Sequence, residues 1–268
     1  MRKQRLDVLL VDRKLAESRE KAKRLIMAGL VFSKQNRLEK PGMQVPADLP
    51  ITIKGDDCPY VSRGGLKLEK AIKFFSIQMK DRTLIDIGAS TGGFTDCALQ
   101  HGVKLSYAID VGYNQLAWKL RKDPRVIVME RTNFRYVTKD MLEHGIPNIA
   151  SIDVSFISLK LILPVLKQLL DDNSDVIALV KPQFEAGKEQ VEKGGLIRQP
   201  SVHMSVLKDI IDFATEQSYS CQGVTYSPIT GGKGNIEFLV HFGWNKATEQ
   251  QVNIDIEKVV KEAHKTLN

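Results

Sequence analysis

From residue 84 onward, short apolar runs alternate with stretches of helical periodicity, and that alternation leaves few folds open. LIDIG is followed by a helix reaching His101, LSYAIDVG by NQLAWKLRK, and RVIVME by a helix near residues 138 to 144. NIASIDVS then precedes LKLILPVLKQLL, and DVIALVKP precedes a long loop and the helix VHMSVLKDIIDFATEQ. Parallel strands need crossover connections and helices supply them, so the pattern predicts an α/β domain: a mostly parallel sheet with helices on both faces. SCQGVTYSP and NIEFLVHFG come last with no helix between them, which predicts an antiparallel C-terminal edge strand. The tail from Ile254 to Leu267 carries Ile256, Val259, Val260 and Ala263 as one apolar stripe and reads as a surface helix.

The segment ahead of this alternation has a different character. RLDVLLVDRKL places Leu6, Leu9, Leu10 and Arg13 at helical spacing, and Ser18 is a candidate N-cap for REKAKRLIMA, which stops at Gly29. Short β-like runs follow, and Asp56, Asp57 and Pro59 mark a linker. The expected division is therefore 1–59, a small α+β unit; 60–81, a linker and the helix GLKLEKAIKFF; 82–245, the α/β domain; and 246–268, the tail. Up to Met43 there are 12 basic and 5 acidic residues, an excess equal to the whole formal charge of +7. Arg5, Arg13, Arg19, Lys21, Lys23 and Arg24 are the candidate contacts to a polyanion, with a solvated basic face as the plain alternative.

Cys58, Cys97 and Cys221 have no metal-binding spacing, and neither do the five histidines. A reducing compartment and no metal site are expected. The run VLLV is too short for a secretion signal and is bracketed by Asp7 and Asp12, while LKLILPVLKQLL is about half the length needed to span a bilayer. A soluble, cytoplasmic protein with no membrane partner and no obligate protein partner is the expectation.

The first strand of the alternation ends in DIGASTGG. In open α/β sheets, ligands bind beyond the carboxyl ends of the strands, where strand order reverses, and this turn is at that place. Gly88, Gly92 and Gly93 are spaced neither as the GxGxxG of dinucleotide enzymes nor as a phosphate loop. Missing side chains let a ligand lie against backbone along Ser90, Thr91 and Phe94. Asp110, ending the second strand, is placed to accept both ribose hydroxyls of a nucleoside, and Asp86 adds a carboxylate near positive groups. A cationic nucleoside without phosphates, S-adenosylmethionine, fits these features; NAD or a purely structural turn are the alternatives. After the third strand, Asn133 is a candidate for an adenine edge, and Phe134 either packs the ring or belongs to the core.

Charged residues also stand where strands end or should be buried: Asp153 in SIDVS, Lys181 in ALVKPQF, Glu237 in NIEFLV, and Lys67 in the helix before the first strand. Strand interiors rarely carry charge unless it is paired, and three of these can converge on one cleft. Taken with Arg5-Leu6-Asp7, Ser18-Arg19 and LIMAGLV, which resemble the S4 RNA-binding pattern, the motifs SRGGLKL, DIGASTGGFTD, SIDVSFISL, VKPQFE and GNIEF resemble the TlyA family, once labelled hemolysins. The resemblance covers almost the whole chain, although the longer SKQNRLEKPG replaces the usual Asn-Gly turn after the first strand of an S4 unit. It implies a Rossmann-like, FtsJ-type S-adenosylmethionine-dependent methyltransferase domain behind an S4 domain, acting on rRNA in ribosomal subunits at the cytidine 2'-hydroxyl. It carries the family's Lys, Asp, Lys, Glu tetrad onto Lys67, Asp153, Lys181 and Glu237.

A ribose 2'-hydroxyl must lose its proton as it attacks a methyl carbon, so a positioned base is needed. Lys181 is the expected base or oxyanion stabiliser, and Lys67 its electrostatic support and a positioner of the 2'-hydroxyl. Asp153 is expected to orient groups near the donor, and Glu237 to orient a lysine. The loops at 185–195 and 231–235 either contact RNA or are plain surface loops. Two other classes compete: a membrane-lysing protein, suggested only by the family's old label, and an RNA-binding protein with a degenerate methyltransferase fold.

Overall fold

The computed structural model describes residues 3–27, 29–34, 36–53, 58–246 and 254–267; Asp56 and Asp57 of the expected linker lie outside the described residues. Contacts divide the chain into two compact units, Met1–Arg63 and Gly64–Asn268.

The first unit contains β1 (Lys3–Arg5), α1 (Leu6–Asp12), α2 (Arg19–Met27), β2 (Val31–Ser33), β3 (Asn36–Arg37), β4 (Gln44–Pro46) and β5 (Thr52–Ile53). Its two helices meet through Leu6, Leu9, Leu10, Ala22, Leu25 and Ile26, all buried, which turns the basic side of α2 to solvent. Ser18 caps α2: its Oγ accepts the Lys21 N–H at 3.2 Å. β1 pairs antiparallel with β4, and β2 lies between β3 and β5.

The second unit opens with α3 (Gly64–Phe75), then β6 (Thr83–Ile87), α4 (Gly93–Gln100), β7 (Leu105–Ile109), α5 (Trp118–Arg121), β8 (Val126–Met129) and β9 (Ile149–Ile152). It continues through α6 (Leu163–Leu166), β10 (Ser174–Val180), α7 (Pro182–Glu185), α8 (Pro200–Glu216), β11 (Tyr219–Tyr226), β12 (Phe238–Trp244) and α9 (Ile256–Leu267). The seven strands form one sheet in the order β11-β12-β10-β9-β6-β7-β8. Strands β6 to β10 are parallel; β12 runs antiparallel between β10 and β11. Every residue of β6, β9 and β10 is buried, as expected of strands covered on both faces. The chain leaves β6 toward β7 on one side and returns to β9 on the other, so strand order reverses between β6 and β9. A cleft at their carboxyl ends follows from that connectivity.

Three expected helices are shorter than their periodicity suggests. Over 114–122 only α5 forms, because Asn114 has φ 58° and the N–H groups of Asn114, Gln115 and Leu116 donate to the Glu130 carboxylate instead of starting a helix. Residues 159–170 split into a 3₁₀ turn at Leu159–Leu161 and α6, since Pro164 is tolerated only in a first turn. Near 138–144 only the 3₁₀ turn Lys139–Met141 forms. The tail helix packs Val260 and Ala263 into the core, and His264 Nε2 lies 2.9 Å from His203 Nδ1 on α8.

Candidate active site

The turn after β6 is shaped by its contacts. Gly88 has φ +86°, and a Cβ there would collide with the Asp153 carbonyl oxygen, so only glycine lets this turn lie against the end of β9. Asp153 N–H donates to the Ile87 carbonyl at 2.9 Å, locking the two turns together. Gly92 has φ +94°, and a Cβ would strike Leu116 and Leu120. Asp110, just past β7, accepts Ser90 N–H and Gly112 N–H, each at 2.7 Å, one on each carboxylate oxygen. Each oxygen keeps a lone pair for a further donor, and Val111 beside it is 71 % exposed. Backbone close to the surface, an oriented carboxylate and an exposed apolar neighbour together fit a nucleoside such as S-adenosylmethionine.

Not every residue expected to touch that ligand faces it. Asp86 is fully buried: one oxygen accepts Ser151 Oγ at 2.8 Å, the other Thr95 N–H at 3.1 Å and Thr95 Oγ at 2.7 Å. Burial pushes its carboxyl up to about 6, against the opposing hydrogen bonds from Thr95 and Ser151. Asp86 therefore ties the start of α4 to β9. Phe94 and Phe134 are buried, Phe134 within the main core cluster, and Asn133 Oδ1 accepts the Arg135 N–H at 3.1 Å. Thr91 reaches the site through backbone, its carbonyl accepting the Ala117 N–H at 3.1 Å, and Gly93 begins α4.

Lys67, Asp153, Lys181 and Glu237 form one chain of ion pairs. Lys67, on α3, holds Glu237 Oε2 at 2.6 Å and lies 3.9 Å from Asp153 Oδ2; Lys181, immediately after β10, holds Asp153 Oδ1 at 2.6 Å. The antiparallel register explains part of the convergence: Val180 pairs with Phe238, which sets Lys181 opposite Glu237 just outside the ladder. Glu237 thus precedes β12 rather than interrupting it. Both lysines and Glu237 are buried, while the Asp153 side chain keeps 20 % exposure and opens the group to solvent. Gly231 fits closely here, for a Cβ would strike the Glu237 carboxylate.

Several neighbours stand in motifs or loops that the sequence marks without giving them a role. Ser155 Oγ accepts from Lys181 Nζ at 2.9 Å. Glu185 accepts Ser158 Oγ at 2.6 Å and Leu159 N–H at 2.9 Å, fastening α7 to the turn after β9; burial pushes its carboxyl up despite these bonds. Phe156, in that turn, has φ 64° and is 89 % exposed, its ring centroid 4.8 Å from that of Phe184. A bulky residue held in this conformation costs about 1–3 kcal/mol, a cost associated with functional sites. The two glycine-rich loops are tied together: Asn235 Nδ2 donates to the Gly195 carbonyl at 2.8 Å and Lys233 Nζ to the Gly194 carbonyl at 2.5 Å.

In the first unit, Arg5 and Arg19 converge on buried Asp7 at 2.9 and 3.0 Å while staying about half exposed. Their attraction holds the Asp7 carboxyl well below the usual carboxylate range, the hydrogen bond from Arg5 outweighing burial. Arg13 bonds the carbonyls of Ala47 and Leu49, and Arg24 that of Val61 at 3.3 Å. Lys21 is half-buried and Lys23 exposed.

Among the described residues no group of three or more His, Cys, Asp or Glu side chains is arranged to hold a metal ion, and no helix is long and apolar enough to cross a membrane.

Compared with known proteins, the chain matches the FtsJ-like methyltransferase family over residues 60–244 and the S4 domain over residues 4–50. A candidate rRNA methyltransferase of Bacillus subtilis, YqxC, is 62% identical, over 99% of this chain and 96% of that one. The 16S/23S rRNA (cytidine-2'-O)-methyltransferase TlyA of Mycobacterium tuberculosis is 41% identical over 89% of each chain. A solved structure from Streptococcus thermophilus, described as a candidate hemolysin, superposes with a TM-score of 0.80 at 51% identity, covering 99% of this chain and 97% of its own.

Proposed function

The chain belongs to the TlyA family of FtsJ-like methyltransferases with an S4 domain, and from that premise we propose that it transfers a methyl group from S-adenosylmethionine to a cytidine 2'-hydroxyl of rRNA in ribosomal subunits, in the cytoplasm. The observation that carries the reading is the ion-pair chain Glu237, Lys67, Asp153, Lys181 beside the glycine turn.

An ammonium has three N–H donors, and Lys181 spends two of them on Asp153 and Ser155. The third is available to a 2'-hydroxyl oxygen. A donor bound at Gly88 and Asp110 supplies an electrophilic methyl group on a positively charged sulfur. Asp153 belongs to both halves of the site, since its backbone abuts Gly88 and its carboxylate holds Lys181. Lys181 either, as the neutral amine, takes the hydroxyl proton on its lone pair as the oxygen attacks the methyl carbon and the sulfonium departs as a neutral thioether, or, as the ammonium, stabilises the developing oxyanion. Glu237 keeps the Lys67 ammonium in place, and Lys67 in turn steadies Asp153. Phe156 projects from the same turn as Ser155, where an exposed ring suits stacking on a base. Arg5, Arg19, Lys23 and Arg24 offer positive charge to RNA phosphates.

Intact pairing of all four tetrad residues favours catalysis over a degenerate RNA-binding fold. The deciding experiment is transfer from labelled S-adenosylmethionine to purified ribosomal subunits by the wild type, Lys181→Ala and Lys181→Arg. Lys181→Ala is expected to bind donor normally and to lose about 10²- to 10⁴-fold in single-turnover rate. Near-wild-type transfer by Lys181→Ala would discard the catalytic centre, and near-wild-type transfer by Lys181→Arg would leave charge stabilisation alone, because a guanidinium keeps its proton.

A further inference from the structure

Residues 111–139 carry seven Lys or Arg against two acidic residues, Asp123 and Glu130, in a second unit that is otherwise not basic. The same segment exposes three aromatic rings: Tyr113 at 64 %, Trp118 at 64 % and Tyr136 at 71 %. Each ring has a cation beside it. The Arg131 guanidinium lies 3.9 Å from the Tyr113 ring centroid, Lys122 Nζ 5.1 Å from that of Trp118, and the Arg135 guanidinium 5.6 Å from that of Tyr136. These three cations form no ion pair among the described residues, whereas Lys119, Arg121 and Arg125 in the same segment are each matched with a carboxylate.

The rings sit on a fixed support. Glu130 accepts three successive backbone N–H groups from 114–116 and pairs with Arg121, and the Arg131 N–H donates to the Gly112 carbonyl at 2.9 Å. The loops after β7 and β8 are therefore bound to each other, and little ordering remains to be done when a ligand arrives.

We propose that this edge of the catalytic unit is a docking surface for unpaired nucleotides of the RNA substrate, with Tyr113, Trp118 and Tyr136 as stacking platforms and Arg131, Lys122 and Arg135 as phosphate contacts. The inference rests on the RNA-methyltransferase reading and adds to it a second, separate foothold. Aromatic rings flanked by unmatched cations suit single strands, because every unpaired base presents a flat face and a phosphate on either side. A duplex hides its base faces and is recognised through backbone and 2'-hydroxyls, which needs no exposed rings.

The chain holds two tryptophans, so the full-length Trp244→Phe variant leaves Trp118 as the reporter. Titrated with a twelve-nucleotide single-stranded RNA whose binding is followed independently by anisotropy, Trp118 emission should be quenched, at roughly tenfold lower concentration than with the matching duplex. In parallel, Trp118→Ala/Lys122→Glu and Tyr136→Ala should raise the ribosomal-subunit concentration for half-maximal methyl transfer by about 5- to 150-fold, the span of one lost stacking contact, with calorimetric donor affinity unchanged. Unaltered Trp118 emission at saturating single strand would overturn the proposal, as would quenching by whole subunits alone, which would point to a ribosomal protein. Variants that transfer with wild-type half-saturation would also overturn it while leaving the enzyme reading intact. A wild type that transfers no methyl would sink the enzyme reading, and the quenching result would still decide the surface.

Discussion

Replacing Lys67 by Met removes one ammonium and little volume, and its consequence can be worked from the geometry. Glu237 is 2 % exposed, and its carboxylate is held by Lys67 Nζ at 2.6 Å. Without that cation the carboxylate is buried and uncompensated, a change that costs about 3–5 kcal/mol. A unit of this size shifts its melting temperature by roughly 2–4 °C per kcal/mol, so Lys67→Met should lower the transition of the catalytic unit by about 10 °C. Adding Glu237→Gln removes the stranded charge, and the double variant should recover most of that loss although neither protein transfers methyl groups. Calorimetry on wild type, both single variants and the double variant closes the cycle. A Lys67→Met transition within 2 °C of wild type, or a double variant as unstable as Lys67→Met, would show that the pair does not hold the site together.

Three further outcomes are expected. Asp86 is an acid raised on folding, so its contribution to stability is fully present below about pH 4 and is lost as pH rises through about 6; the loss amounts to roughly 3 kcal/mol. Asp86→Asn should flatten the pH dependence of denaturant midpoints between 4 and 6, and an unchanged slope would contradict this. Gly88→Ala should weaken donor binding at least about tenfold, since its Cβ must displace the Asp153 carbonyl; wild-type affinity by calorimetry would mean the two turns are not tightly apposed. Asp110→Asn should weaken the donor by about 10- to 100-fold through loss of charge-assisted hydrogen bonds, and unchanged affinity would remove the ribose contact.

The fold was legible because its central strands are covered on both faces and so appear as unbroken apolar runs, with turn residues between them. The tetrad was legible because Asp153, Lys181 and Glu237 interrupt that pattern at strand ends. What escaped depends on partners distant in sequence. An acid inside LIDIG looks the same whether it faces a ligand or, as Asp86 does, Thr95 and Ser151. The helix expected over 114–122 is shortened by a carboxylate, Glu130, that lies beyond it in the chain. Ser155 and Gly231 acquire meaning only once Lys181 and Glu237 are seen beside them.

The ion-pair chain contains two ammonium groups and two carboxylates, so with all four ionised it balances to zero charge. Such a centre exerts little long-range pull on a polyanion, and its short, mostly buried pairs are poorly reached by mobile ions. Attraction of RNA must come instead from the exposed basic side chains, whose phosphate contacts release counterions. Ionic strength should therefore act on encounter and leave chemistry nearly alone: raising salt lengthens the search for the substrate without slowing the methyl transfer that follows.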